Sequence, residues 1–324
     1  MSQFPDLSVI VPTRNRRSLA EPCLRALASE IARDGAAELV VVDQNSTDGL
    51  AEFAASLPAA RVVPSAESFA GGLRNEGVRS AKGALLCFVD SDVLVPTLHL
   101  LRVRQLLGCH PSAIIGREYT LPNSPGWIER TWDALNSRPG DGPREWINAG
   151  NLCMLRATFD LAGGFDAALS SGEDTDLARR AREKGIPILQ FDALVAAHLG
   201  NPKTLKQFFQ KQSWHGEGAS LSDFTLQASL VAASSYGAAA ALAFALARMG
   251  VGAILTGLAA TVLANLVPLS AVLFRLYRRP RKPHLAASVL LMHLFFISRC
   301  YSFFATCPRR VRFWQRIREP LLRS

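Results

Sequence analysis

Several things are missing from this sequence, and each absence narrows the reading. None of the six cysteines stands in a C-x-x-C pair, so the spacing of a zinc knuckle is not there. Cys87 and Cys153 lie inside apolar runs and are expected to be buried small hydrophobes. Scattered thiols of this kind suit a reducing compartment. The opening residues MSQFPDLSVIVP contain no basic stretch followed by a long apolar run, so no secretory leader is expected in them. Basic residues are not interleaved with aromatics, which argues against single-stranded nucleic acid as a partner. Charge itself is missing from two long stretches. Residues 224–247 hold none over 24 positions, and residues 249–274 hold none over 26.

Each of those stretches exceeds the roughly 20 residues needed to cross a hydrocarbon core. A buried helix pair in a soluble protein is the alternative, but two such runs in succession are rare there. Two spans are expected, over 226–247 and 251–274. A third apolar segment, 285–306, meets Arg299 after 14 uncharged residues, and its placement stays open between spanning, re-entering and lying in the interface. The charge balance points the same way. The chain carries 36 Lys and Arg against 27 Asp and Glu, a net charge of +9. The excess is concentrated at Arg275–Lys282 and from Arg309 onward, beside apolar runs, as at an anionic membrane surface. The positive-inside rule puts the first cluster in the cytoplasm. The expected organisation is a catalytic domain over 1–222, a membrane region over 223–308, and a basic cytoplasmic or interfacial tail over 309–324.

From about residue 7 to 200, apolar bursts alternate with helical patterns. LSVIV (7–11), ELVVVD (38–43) and ALLCFVD (84–90) read as strands, and 17–31 and 71–83 as helices, the second ending at Gly83. This alternation predicts an α/β domain with a largely parallel sheet. Ligands of such sheets bind beyond the carboxyl ends of the strands, where Asp43 and Asp90 stand.

Four stretches carry chemistry. Asp90-Ser91-Asp92 puts two carboxylates on alternate residues, so that both face one side if the segment is extended; such a pair suits Mg²⁺ or Mn²⁺, although a solvated turn also explains the pattern. In VVVDQNSTDG (40–49), a turn capping the next helix accounts for Thr47 and Asp48 but less readily for Asp43. Glu173, Asp174 and Asp176 open a helix, where acidic residues complement the macrodipole. Capping explains Asp176, and either of the other two can serve as a general base. His198 follows a strand-like run and is either an ordinary buried histidine or a metal ligand that returns to the same sheet edge.

Taken in order, SVIVPTRNR, VVVDQNSTDG, GGLRNEGVRSAKGALLCFVDSDV, NAGNLCMLRATFDLAGGFD, GEDTDLARRAREKG and AHLGN resemble the inverting glycosyltransferases of family 2. The resemblance covers roughly residues 6 to 215 and implies a GT-A fold, the nucleotide-diphospho-sugar transferase architecture, followed by transmembrane helices. It implies that Pro12, Thr13, Asn15, Asp43, Arg74, Asn75 and Asp90 lie about the donor nucleotide. It implies a metal on Asp92, with Asp90 and His198, and a catalytic base at Asp174 beside Glu173. It places Asn148, Gly150, Asn151, Gly163 and Gly164 by the donor sugar and acceptor, and Trp214 at the acceptor near the membrane. The expected partners are a nucleotide-diphospho-sugar donor, a lipid-linked or cell-envelope glycan acceptor, and the cytoplasmic membrane. QKQSW (210–214) departs from the Q-x-x-R-W signature of processive synthases, with Ser213 where arginine is expected, which argues against processive synthesis. Two rivals are a catalytically silent scaffold subunit, against which the intact carboxylates count, and a membrane-bound nucleotidyltransferase. The latter would show a Gly-rich loop after the first strand, and VPTRNRR has no glycine.

Overall fold

The computed structural model describes residues 6–217, 224–277 and 283–305. The basic tail from Arg309 lies outside them, as do Arg278–Lys282. Contacts divide the chain into two units: Met1–Ser124 with Ser137–Asn201, and Pro125–Asn136 with Pro202–Ser324.

The first unit is built on strands β1 (Leu7–Thr13), β2 (Ala37–Asp43), β3 (Ala60–Pro64), β4 (Leu85–Val89), β5 (Val93–Leu94), β6 (Ile114–Gly116), β7 (Gly142–Pro143), β8 (Asn151–Leu155), β9 (Ile188–Gln190) and β10 (Ala197–His198). Its helices are α1 (Arg17–Asp34), α2 (Leu50–Ala55), α3 (Ala70–Ser80), α4 (His99–Cys109), α6 (Arg156–Ala162) and α7 (Glu173–Glu183); α5 (Trp127–Asn136) belongs to the other unit. The large sheet has the order β3-β2-β1-β4-β8-β6-β9-β7, and β5 pairs with β10 apart from it.

Side-chain alternation along the strands builds two apolar layers. Val9, Val11, Leu39, Val41, Cys87 and Val89 pack on one face with Leu24, Leu27 and Val103. Ile10, Val40, Val42, Leu86 and Phe88 pack on the other with Phe159, Phe165 and Leu177. Both faces are covered, so these strands read as unbroken apolar runs rather than alternating ones. Burying each large aliphatic side chain contributes about 1.5–3 kcal/mol.

The helix expected over 71–83 stops at Ser80. Gly83 instead donates its N–H to Ser8 Oγ at 2.8 Å, and a Cβ there would fall 2.6 Å from the Ser8 nitrogen. The sheet is also more mixed than expected. β1, β2, β3 and β4 are parallel, but β8 runs antiparallel between β4 and β6. That reversal is consequential, because it brings the start of β8 beside the carboxyl end of β4. The Asp90 N–H donates to the Gly150 carbonyl at 3.1 Å. Cys87 and Cys153 face each other across this pair, both fully buried, as the apolar runs suggested.

The second unit contains α5, α8 (Leu205–Trp214), α9 (Phe224–Arg248), α10 (Ala253–Tyr277) and α11 (Leu285–Ala305). The last three are long and apolar enough to cross a membrane, so the third segment joins the two expected spans in that respect. Three of their polar side chains bond to one another. Asn265 Nδ2 donates to the Thr261 carbonyl, which turns its Oδ1 toward His293 Nε2 at 3.0 Å. His293 Nε2 therefore carries the proton, and Nδ1 accepts from Tyr236 O–H at 2.7 Å. One neutral chain of hydrogen bonds thus joins α9, α10 and α11.

Candidate active site

The site begins where β4 ends. Residues 90–92 form a turn rather than an extended segment, closed by the Val93 N–H donating to the Asp90 carbonyl at 3.0 Å. The two carboxylates therefore meet different partners. Asp90 Oδ1 accepts from Arg74 Nη2 at 2.6 Å, and Oδ2 accepts from Tyr119 O–H at 2.9 Å. Gly150 closes this corner, since a Cβ on it would lie 2.2 Å from the Asp90 carboxylate and from the Tyr119 oxygen. Burial, with Asp90 beside it, pushes the Tyr119 phenol well up, so it stays a donor. Both Asp90 oxygens thus have protein donors in this structure, whereas Asp92 is turned toward Arg16 and His198.

Arg74 is buried and spans two acidic pairs. Its second amino group, Nη1, donates to Glu173 Oε1 at 2.6 Å. Burial alone would lower its proton affinity, but the two carboxylates outweigh it and keep it charged. With both amino groups taken, Arg74 organises the site from within, which differs from a direct donor contact. Asn75 is likewise used internally: its Nδ2 donates to the Phe165 carbonyl at 2.8 Å and its Oδ1 accepts from the Phe165 N–H at 3.0 Å.

Glu173 and Asp174 open α7. Glu173 is held by Arg74; Asp174 makes no ion pair among the described residues, and its Oδ1 accepts from the Thr175 N–H at 2.7 Å. Burial raises the Asp174 carboxyl to about 6, and the Glu173 charge adds to the rise. Desolvation thus outweighs both the Thr175 hydrogen bond and the nearby Arg74. Asp176 is ion-paired with Arg179 and Arg180 at 2.7 and 2.8 Å, which accounts for it without a cap.

Asp92 meets β10 instead. His198 is not on the large sheet, as its strand-like approach suggested, but opposite Val93 in the β5–β10 pair. Its Nε2 lies 3.4 Å from Asp92 Oδ1. Asn201 Nδ2 donates to the His198 carbonyl at 3.0 Å, so Asn201 Oδ1 faces His198 Nδ1 at 2.8 Å. Nδ1 therefore donates to Asn201, which leaves Nε2 as the ring nitrogen that faces Asp92. Tyr119 stacks on the ring at 4.7 Å. No cluster of three or more His, Cys, Asp or Glu able to hold a metal occurs among the described residues. Two donors do fit an ion: ligand atoms about 2.1 Å from one octahedral ion lie about 3 Å apart at right angles. Mg²⁺ and Mn²⁺ commonly take their remaining ligands from water and substrate phosphates.

At the neighbouring strand ends, Thr13 and Asp43 are buried, and Thr13 Oγ1 and Asp43 Oδ1 have no hydrogen-bond partner among the described residues. Asp43 Oδ2 accepts from the Ser46 N–H at 2.9 Å. Pro12 pairs with Val42 within the sheet. Asn15, at φ +44°, ties the two loops together: its Oδ1 accepts from the Thr47 N–H at 2.8 Å and its N–H donates to Ser46 Oγ at 2.9 Å. Asp48 caps α1 rather than only the next helix, accepting from the Arg17 N–H at 2.8 Å.

Other expected contact residues have structural explanations. Asn151 donates to the Arg117 and Leu194 carbonyls. Gly163 and Gly164 end α6 with positive φ, and their N–H groups return to Phe159 O. Asn148 is half-buried in the turn before β8. Trp214 belongs to the second unit, at the end of α8, where it lines a surface groove with Phe209 and Tyr301. Tyr119, Arg16 and Asn201 were missed by sequence reasoning. Tyr119 lies in 117–147, which has no readable motif, and only its partners reveal it.

Residues 8–152 match the family described as Glycosyl transferase family 2. That segment is a glycosyltransferase family 2 domain. It is 26% identical over 226 residues to the glycosyltransferase AglE of Haloferax volcanii, covering 67% of this chain and 74% of that one. It is 27% identical to validoxylamine A glucosyltransferase of Streptomyces hygroscopicus subsp. limoneus, over 58% of this chain and half of the relative's length. Among solved structures, the mannosyltransferase PcManGT of Pyrobaculum calidifontis, in complex with GDP-Man and Mn²⁺, superposes with a TM-score of 0.56 at 16% identity, over 94% of this chain and 89% of that one. That likeness concerns the fold: a GT-A-like domain followed by apolar helices.

Proposed function

We propose that this glycosyltransferase moves a sugar from a nucleotide-diphospho-sugar to an acceptor hydroxyl in one inverting displacement at a membrane face. The observation that carries the reading is Asp174, a carboxylate with no ion pair among the described residues, raised to about 6 at the mouth of α7. A base of that strength is largely ionised at neutral pH yet accepts a proton as the acceptor oxygen attacks. The charge of Glu173, which is locked to Arg74, raises it further. A single displacement needs no protein nucleophile.

The partnerless Thr13 Oγ1 and Asp43 Oδ1 suit the hydroxyl and N–H groups of a nucleoside. Asp92 and His198 would hold Mn²⁺ or Mg²⁺, which stabilises charge on a departing diphosphate. Gly150 lies beside Asp90, and it and Asn148 would form the sugar-facing rim. Three apolar helices favour a lipid-linked or envelope-glycan acceptor, since a soluble sugar requires no spans. The basic residues around 275–282 favour a cytoplasmic catalytic side, in a multi-pass protein of the cytoplasmic membrane.

The test is product analysis with full-length protein in detergent, a panel of sugar nucleotides, membrane lipid extract, and Mn²⁺ or Mg²⁺ added or withheld. Metal-dependent release of nucleoside diphosphate, with inverted anomeric configuration by NMR, is expected. Retained configuration would remove the inverting mechanism. Pyrophosphate release would indicate nucleotidyl transfer, and no donor turnover or binding would indicate a scaffold.

A further inference from the structure

Arg16 stands outside every role assigned so far. It closes the β1–α1 loop as the residue before α1, directly after Asn15. Its Nη1 lies 3.0 Å from Asp92 Oδ2, while Asp92 Oδ1 faces His198. The Asp92 side chain is 5% exposed and that of Arg16 49%. A buried carboxylate is thus met by a guanidinium that reaches it from a solvated loop.

We propose that Arg16 is a placeholder cation that makes metal binding depend on the donor diphosphate. The inference rests on the metal reading of Asp92 and His198. With no donor present, the guanidinium neutralises Asp92 and opposes a divalent ion on the same carboxylate by like-charge repulsion. A diphosphate brings negative charge to this loop and offers the guanidinium a bidentate partner. Arg16 then moves from Asp92 to the phosphates, and Asp92 is released to the metal. Metal and donor therefore bind cooperatively, and each raises the other's affinity by the same factor. An enzyme built this way does not fill its metal seat until the donor arrives.

The test uses full-length protein in detergent, with Mn²⁺ binding read by electron paramagnetic resonance, alone and with UDP, GDP or dTDP. The wild type should bind Mn²⁺ weakly alone and much more tightly with the matching nucleotide. Arg16→Gln should bind Mn²⁺ about tenfold more tightly without nucleotide, bind nucleotide more weakly, and lose most of the coupling. Arg16→Lys, which keeps the charge, should restore the weak donor-free binding. Unchanged or weaker donor-free Mn²⁺ binding in Arg16→Gln would overturn the placeholder role while leaving the metal site standing. Absence of Mn²⁺ binding in the wild type with every nucleotide, as in Asp92→Asn, would remove the metal reading and this inference with it. Binding is measured directly, so neither result depends on finding the acceptor.

Discussion

The turn after β4 and the first turn of α7 have the same construction. Each presents two nearby carboxylates, Asp90 with Asp92 and Glu173 with Asp174. In each, one member is bonded to the buried Arg74, Asp90 at 2.6 Å and Glu173 at 2.6 Å. The other member is turned elsewhere: Asp92 to Arg16 and His198, and Asp174 to the N–H and hydroxyl of Thr175. One arginine thus fixes both turns through their inner carboxylates and leaves the outer pair for chemistry. Adjacent residues of the same type differ in role because of the partner each one meets.

The largest effect in this comparison should come from Arg74 itself. Arg74→Met leaves Asp90 and Glu173 as buried carboxylates without their cation. Breaking a buried pair from one side costs about 3–5 kcal/mol, so we expect a large fall in denaturant midpoint and loss of transfer. A midpoint within about 0.5 kcal/mol of wild type would show that Arg74 does not hold the two turns together.

Asp174→Asn should do the opposite to stability. Its carboxyl is raised in the folded protein from the usual 3.8 to about 6. The folded state therefore binds the proton more tightly, and stability falls as pH rises from about 4 through about 6. Removing the charge should make the variant about 1–3 kcal/mol more stable than wild type at pH 7.5, with the gain vanishing below pH 4. Thermal melts at the two pH values check this. A variant less stable at pH 7.5 would mean that Asp174 is not held at a cost.

The smallest effect should lie in the second unit, where Tyr236, His293 and Asn265 join three helices by uncharged hydrogen bonds. Tyr236→Phe removes one donor from the Tyr236–His293–Asn265 chain. Interhelical hydrogen bonds in membranes are worth about 0.6 kcal/mol on average and up to about 1.7, so a loss in that range is expected by unfolding in detergent. A loss as large as that of Arg74→Met would contradict the contrast between the units.

Strand and helix identities were legible where burial is continuous. LSVIV, ELVVVD and LLCFV carry their β-branched and apolar content in plain view, and the acidic start and basic end of α7 mark its direction. The antiparallel entry of β8 was not legible, because NLCML reads as a buried strand in either direction and only pairing with β4 decides it. The same holds for the site. The sequence pointed to Asp90, Asp92, Glu173, Asp174 and His198 by type and spacing. It could not divide them into held and open carboxylates, because that division depends on Arg74, Tyr119 and Arg16, residues 16 to 99 positions away in the chain. Asn75 and Asn151 matched a pattern by position, and the structure adds what the pattern could not show, the internal hydrogen bonds that each makes.

The central claim is that Asp174 is the base and Glu173 its held neighbour. The most direct measurement is the pH dependence of single-turnover transfer for wild type, Asp174→Asn and Glu173→Gln, with donor binding measured alongside. The account predicts a wild-type rate that rises with pH through about 6. It predicts that Asp174→Asn binds donor normally but transfers about 10²–10⁴-fold more slowly with that rise abolished, and that Glu173→Gln keeps the rise at a shifted pH. Wild-type transfer by Asp174→Asn with its pH rise intact would contradict the account.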